Sequence, residues 1–553
     1  MTELAPPSSP WWEDGVVYEV YPWSYRDSSG TGRGDIRGVI ACLDHIVNLG
    51  ADAIWMAPWN QSPGVDGGYD VSDYRLIHPD LGTLEDAEDL IAQAHHHGLK
   101  IIADMVANHT SDQHSWFERA VAAAPGSSMR EWYFFRDGKG EDGSLPPNNW
   151  ISAFGNSGWT RIIEADGRPG QWYFHTFSPE QPDLNWANPH VREAMMEEIR
   201  YWFDRGIDGL RIDAAPAMSK EEGLPDASYD VNGGFNSRGW TDAPHWDERG
   251  VHDILRLWRE VANSYPEPKL LVVESVVSSP ERLADYLRTD EAHMAFNFDF
   301  LYAGWDAQRI RTAINGALVA HRAIGALPMW SLGSHDETRV ATRLGRTNTE
   351  AGNLGFDLIG IPEVDEAVGL RRARAAAMIQ LALPGAPCLY QGEELGLPEV
   401  VDLPDYALAT DPVWTRSGGK SRGRAGCRVP LPWAGTKPPY AFSDEEGQPW
   451  LPQPRDWQDF TVSAQSSNEG STLSLFREAL RIRQAHPRTG EITWNSEAGL
   501  NGDAIVDFTS GSIRNITNMS DEPIPLPEGT VLLVSSEATS GVILPNQTVW
   551  LEA

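Results

Sequence analysis

The heptapeptide Gly209-Leu210-Arg211-Ile212-Asp213-Ala214-Ala215 carries two charges inside an apolar run. Burying charge is costly, and side chains two apart on a strand share a side, so Arg211 and Asp213 should face one cavity and support each other. Such a pair is either a structural ion pair or a carboxylate held ionised for attack. Three more stretches carry the same kind of group: His109 after Met105-Val106-Ala107, Glu274 after Leu271-Val272-Val273, and His335-Asp336 after Leu332. Three acids with an arginine and two histidines, no cysteine nucleophile and no Ser–His arrangement point to glycoside chemistry. A retaining glycosidase needs a carboxylate to attack the anomeric carbon and a protonated acid for the leaving oxygen, about 5–5.5 Å apart. Neighbouring strands about 4.8 Å apart would supply that distance. Asp213, paired with Arg211, should stay ionised and attack. Glu274, in an apolar setting, should hold its proton longer and act as the acid. Asp336 could hold sugar hydroxyls.

The elements that must position these groups alternate. Val16–Tyr21 reads as a strand, and Ile36, Val39, Ile40, Leu43, Ile46 and Val47 as one helix ending at Gly50. Ala53–Pro58 is a second strand. A helix from Thr83 to His97 opens on a capping-box pattern, Thr83…Asp86, and ends at Gly98. Lys100–Val106 is the third strand. From about 110 to 182 the chain turns irregular and rich in Gly and aromatics, too long for a bare loop, and reads as an inserted small domain. Alternation resumes with the helix Val191–Phe203, the opening stretch as fourth strand, and the helix Val251–Ser264. Leu270–Val276, Ala295–Phe300, Pro328–His335 and Pro387–Gln391 make strands five to eight, with helices near 306–323, 369–383 and 472–485. Eight strand–helix alternations are the count of a (β/α)8 TIM barrel, whose functional residues sit at the C-terminal ends of its strands, where all these polar groups fall. Beyond about 487, short alternating runs such as Ala504–Phe508, Thr530–Val534 and Gln547–Leu551 suggest a C-terminal β-sandwich. The division expected is 1–109 and 183–487 for the α/β barrel, 110–182 for the insertion and 488–553 for the sandwich.

Composition narrows the class. At 553 residues the chain exceeds one ordinary domain. Its net charge of −35 argues against nucleic acid and anionic membranes as partners. The 23 tryptophans leave aromatic faces to spare for sugar rings. Three cysteines without a CxxC fit a reducing compartment, and no basic-then-apolar start or 18-residue apolar window occurs. The expectation is a cytoplasmic enzyme, monomer or homo-oligomer, working on a small molecule. His95-His96-His97 is not read as a metal tract, because consecutive helix positions do not face one another. Glu393-Glu394 reads as structural, and Asp104, early in its strand, as support below the mouth.

With these residues assembled, the chain resembles the α-amylase superfamily of glycoside hydrolases, in its α-glucosidase and oligo-1,6-glucosidase branch. The resemblance is carried by Ala103–Thr110, Gly209–Ala215, Val273-Glu274-Ser275, Ser334-His335-Asp336, Gln181-Pro182-Asp183-Leu184-Asn185 and Gly385–Glu394. It implies Asp213 as nucleophile, Glu274 as acid/base and Asp336 as transition-state stabiliser. It places His109, His335 and Arg211 on the sugar in the −1 subsite, and Gln181 in the branch's own motif. In Asp66-Gly67-Gly68-Tyr69, Tyr69 would stack on the ring and Asp66 bind its far hydroxyls, with Arg428 of Arg424-Ala425-Gly426-Cys427-Arg428 as partner of Asp66. A charged pair closing the pocket would make the enzyme exo-acting.

Departures matter too. Where relatives carry a metal loop, this chain reads Asp27-Ser28-Ser29-Gly30-Thr31-Gly32-Arg33-Gly34-Asp35. Ser29 and Thr31 replace oxygen ligands and Arg33 adds a cation, which argues against calcium and for no required cofactor. Ser334 replaces the usual Asn. Ala214, where Val accompanies α-1,6 preference, leans toward α-1,4-linked substrates. A transglucosylase would use the same residues, and a non-catalytic barrel would lack some of the acids.

Overall fold

The computed structural model describes residues 10–228, 240, 243–347, 363–443, 447–488, 490–495, 503–537 and 541–553. Eight parallel strands form the central sheet: β1 (Val17–Val20), β2 (Ala53–Met56), β3 (Lys100–Met105), β4 (Gly209–Ile212), β5 (Leu270–Val273), β6 (Met294–Ala295), β7 (Met329–Ser331) and β8 (Ala386–Tyr390). Their order is β6-β5-β4-β3-β2-β1-β8-β7, and a parallel bridge between Phe296 and Met329 closes the ring. The (β/α)8 barrel read from the alternation is the one observed.

The period of two sorts each strand between two cores. Val17, Ala53, Trp55, Ile102, Leu270, Val272, Met294, Ala386 and Cys388 form one cluster, while Tyr18, Ile54, Ile101, Leu210, Leu271 and Leu389 join the larger core shared with the helices. The register places Arg211 beside both Asp104 and Val272. Polar residues of the inner rows therefore stack above the apolar plug, toward the C-terminal mouth. The plug is tight: a Cβ on Gly209 would lie 2.7 Å from Leu270 Cβ, so glycine is the residue that lets β4 and β5 approach there.

Several boundaries differ from the sequence reading. β6 stops at Ala295, because the Asn297 side chain accepts from the Phe300 amide and caps the helix Phe298–Leu301 in place of a longer strand. β7 ends at Ser331 instead of running to His335, and the Ser331 hydroxyl donates to Gly333 O at 2.6 Å as the chain turns. The first helix is two, Ile36–Ala41 and Leu43–Leu49, parted at Cys42, which leaves helical geometry at φ −117° and ψ 15°. The capping box at Thr83 and Asp86 is present in both directions.

After β3 the chain forms the helix Ser115–Ala122 and a three-stranded antiparallel sheet of Phe135–Arg136, Pro169–Phe174 and Trp159–Ile163. Bridges from His109 to Asp183 and from Tyr133 to Leu184 tie this region to the barrel mouth. At the C-terminal end a five-stranded antiparallel sheet faces a two-stranded one, with Ile505, Ile516, Ile524, Ile543, Val549 and Leu551 between them. Its other face, through Val506, Phe508, Ile513 and Trp550, joins the barrel's main core. No helix among the described residues is long and apolar enough to cross a membrane.

Candidate active site

Arg211 is the hub of the mouth. It is 2% exposed, and its guanidinium Nη1 donates to Asp213 Oδ1 at 2.6 Å and to Asp104 Oδ1 at 3.1 Å. Nη2 lies 2.9 Å from Glu274 Oε2, which also accepts the Ala214 amide at 2.9 Å. The planar fork thus carries Asp213 on one terminal nitrogen and Glu274 on the other, as expected of two residues at the same level on adjacent strands.

The charge balance differs from the sequence reading. One guanidinium serves three carboxylates, so Arg211 does not simply hold Asp213 ionised. Burial pushes the Asp213 carboxyl well up, Arg211 pulls it back, and the nearby Glu274 and Asp104 charges push it up again. Burial likewise raises Asp104 to about 6 against the pull of Arg211. Asp104 also accepts from Tyr69 OH at 3.0 Å and Trp55 Nε1 at 3.2 Å. It does lie beneath the cavity, yet it fixes both Arg211 and Tyr69, a positioning role the strand pattern did not reveal.

His335 and Asp336 follow β7. His335 is stacked between two tyrosines, with ring centroids 5.3 Å from Tyr69 and 5.6 Å from Tyr21. Its Nδ1 bonds Glu19, from the inner row of β1, and its amide donates to the same oxygen at 3.2 Å. Burial pushes His335 down to about 3, so the ring is neutral near pH 7. Burial opposes ionisation of Asp336, but the charges around it, Arg424 and Arg428 among them, hold its carboxyl far below the usual range. Arg428 Nη2 donates to Asp336 Oδ1 at 2.6 Å and Arg424 Nη1 at 3.2 Å. The amide of Asp336 donates to Ser334 Oγ at 3.2 Å, so the serine in place of asparagine still shapes the turn.

The partner of Asp66 is Arg424, not Arg428: Arg424 Nη2 donates to Asp66 Oδ1 at 2.5 Å. Both arginines stand in the same short loop, and sequence spacing could not choose between them. Asp411 decides it, accepting from the Arg424 amide at 2.7 Å and Nε at 2.9 Å and so aiming its fork at Asp66. Gln181 Nε2 contacts Asp66 Oδ2 and His109 Nε2, each at 3.1 Å. His109 Nε2 also contacts Tyr69 O at 3.0 Å.

These groups surround a cavity that opens to solvent. Asp66, Tyr69, His109, Arg211, Asp213, Glu274, His335 and Asp336 line it, with Arg424; Gln181 and Arg428 stand behind, against residues that do. The sequence reading missed Arg424 and an apolar flank of Trp246, Val276, Phe296, Phe298, Leu301 and Tyr302. Residues 226–250 lie partly outside the described residues, but Trp246 reaches the cavity. Glu394 is structural, its Oε1 accepting from Tyr18 OH and facing His45 Nε2, each at 2.9 Å.

In the loop from Asp27 to Asp35, the carboxylates are turned onto the loop's own amides. Asp27 accepts from the amides of Gly30 at 2.8 Å and Gly32 at 2.7 Å, and Asp35 from Ser28 at 3.0 Å and Gly38 at 2.6 Å.

A closed parallel barrel whose mouth gathers two carboxylates on one buried arginine, with a third nearby, has the chemistry of a glycoside hydrolase. Residues 19–491 match the family "Alpha amylase, catalytic domain", and the chain belongs to it. It is similar to a trehalose-6-phosphate hydrolase of Escherichia coli (strain K12), 32% identical over 94% of this chain and 92% of the relative. It is also similar to a probable alpha-glucosidase of Rhizobium meliloti (strain 1021), 34% identical over 94% of this chain and 91% of the relative. Among solved structures it resembles that of the alpha-glucosyl transfer enzyme XgtA, with a TM-score of 0.83, 30% identity and coverage of 98% and 99% of the two chains.

Proposed function

We propose that the protein is a retaining, exo-acting α-glucosidase that removes the terminal non-reducing glucose from disaccharides or short oligosaccharides. The observation that carries this reading is the pair Asp213 and Glu274 on the two ends of the Arg211 fork. In the first half-reaction an Asp213 oxygen bonds the anomeric carbon, the glycosidic C–O bond breaks, and Glu274 gives its proton to the leaving oxygen. In the second, Glu274 takes a proton from water, whose oxygen displaces Asp213. The β-glucosyl-enzyme between them makes the overall outcome retention. As positive charge grows on the sugar ring, the ionised Asp336 stabilises it. His109, His335, Tyr69 and Arg211 hold the sugar at −1. Gln181 and Arg428 act through neighbours, by fixing His109 with Asp66 and by fixing Asp336.

The Asp66–Arg424 pair closes the pocket end, which supports exo cleavage. Ala214 supports a leaning toward α-1,4 linkages, since its single methyl leaves room beside Glu274. The same intermediate would serve a transglucosylase, and the likeness to an alpha-glucosyl transfer enzyme supports keeping that reading beside hydrolysis.

Asp213→Asn should cut kcat/KM on maltose by at least about a thousandfold, because it removes the carboxylate that forms the intermediate. The wild type should release α-glucose first, seen by proton NMR within the first turnovers, and should yield glucose from maltoheptaose before any mid-chain product. β-Glucose as first product, or full turnover in Asp213→Asn, would refute the mechanism.

A further inference from the structure

On β1, Tyr18 and Val20 face the outer core and Val17 the apolar plug, so Glu19 points inward one level above that plug. It is fully buried, level with Trp55 on β2 and Tyr390 on β8, and does not itself line the active-site cavity. Its reach is through His335. Glu19 Oε1 accepts the His335 amide at 3.2 Å and bonds Nδ1 of the same residue, while Arg428 Nε donates to the His335 carbonyl at 2.9 Å. One carboxyl oxygen thus holds backbone and ring together.

The contacts of the imidazole divide the work. Tyr69 and Tyr21 stack on it at interplanar angles of 9° and 7°, and Trp55 meets it edge-on at 5.9 Å. Stacking fixes the plane of a ring but leaves it free to turn within that plane. The Nδ1 bond removes this freedom and holds Nε2 3.4 Å from Asp336 Oδ2, both residues lining the cavity. Among the described residues neither His335 Nε2 nor Glu19 Oε2 has a hydrogen-bond partner. Burial pushes the Glu19 carboxyl well up; the bond from the His335 amide pulls it back, and the Asp336 charge adds to the rise. Burial thus favours the neutral acid, with its proton on Oε2 because Oε1 is taken up by two N–H groups. The ring proton then sits on Nδ1, and Nε2 presents a lone pair. Nε2 and the ionised Asp336 are two acceptors facing each other, and a hydroxyl proton between them relieves their repulsion.

We infer that Glu19 is a positioning residue: through Oε1 it sets the tautomer and the in-plane direction of His335, so that Nε2 accepts a hydrogen bond from a hydroxyl of the −1 glucose beside Asp336. The inference rests on the glucosidase reading and adds a residue to that site. As positive charge grows on the sugar ring its hydroxyls become more acidic, so a bond from such a hydroxyl to Nε2 strengthens toward the transition state. The effect of Glu19 therefore belongs in kcat more than in KM.

The test is a double-mutant cycle on maltose hydrolysis, with kcat counted per active site by trapping the covalent intermediate with 5-fluoro-α-glucosyl fluoride. Counting sites removes the effect of a variant that folds only in part. Glu19→Met fills the space without offering an acceptor, and should cut kcat about ten- to a hundredfold while KM changes less than about threefold. Glu19→Gln keeps an acceptor oxygen in the shape of the neutral acid, and should stay within about threefold of the wild type. In a His335→Ala background, Glu19→Met should cost less than about a further threefold, because the ring it acts through is gone. The same loss in both backgrounds, a glutamine variant no better than the methionine one, or a methionine variant as fast as the wild type would each overturn the inference and leave the glucosidase reading standing. A wild type that turns over neither maltose nor isomaltose would sink both.

Discussion

At the scale of single residues, the mouth has too few cations for its carboxylates. Asp104, Asp213 and Glu274 share Arg211, and Asp213 is raised by burial and by its carboxylate neighbours. Removing a negative neighbour that takes no part in proton transfer should therefore lower the Asp213 pKa. In Asp104→Asn the acid limb of kcat/KM should move to lower pH than in the wild type. The limb reports Asp213 losing its proton, so the sign is fixed: less repulsion, easier ionisation, activity retained further into acid. An acid limb that stays in place or moves upward would show that Asp104 does not repel Asp213. Much of this site was legible in the sequence, because charges in apolar runs are conspicuous and their strand ends converge. Which arginine meets Asp66 was not, since Arg424 and Arg428 differ only in what Asp411 does to one of them.

At the scale of elements, β4 ends one residue before the proposed nucleophile and the chain turns at once. Ala214 sits at φ 42°, in the left-handed region, and its amide donates to Glu274 Oε2 at 2.9 Å. The turn thus fixes two reacting groups together. A β-branched residue is strained at positive φ, so Ala214→Val should lower stability by about 1–3 kcal/mol. Ala214→Gly, which relaxes that strain but loosens the unfolded chain, should stay within about 1 kcal/mol of the wild type. Urea midpoints check both, and a valine variant as stable as the wild type would show the turn to be unstrained. The sequence reading took Gly209–Ala215 as one strand, because an apolar–polar alternation does not reveal where φ changes sign. β6 and β7 came out too long for a related reason: Asn297 and Ser331 end them by side-chain bonds to local backbone, which the alternation of apolar residues does not encode.

At the scale of the whole molecule, burial acts on opposite kinds of group and should give stability an optimum in pH. His114, His175 and His321 are pushed down to about 4, and His293 and His335 to about 3, all by burial from the usual 6.5. Between those values and 6.5 the unfolded chain binds more protons than the native one, so these groups cost stability as pH falls through that window. Burial raises Glu393 to about 8 and Glu399 to about 7. Here the native chain binds more protons, and their contribution, complete below the ordinary carboxylate range, is lost as pH rises toward 7 and 8. Tm should accordingly pass through a maximum on the acid side of neutrality. Glu393→Gln keeps the shape of the protonated side chain and removes its titration. The variant should match the wild type near pH 5 and fall less steeply toward pH 8, by on the order of 1 °C per pH unit for a chain of this length. Parallel Tm curves for the two proteins between pH 5 and 8.5 would mean that Glu393 is already ionised in the fold. The alkaline limb would then have to come from another group, with Glu399, beside the Arg339 amide at 2.9 Å, the next to replace.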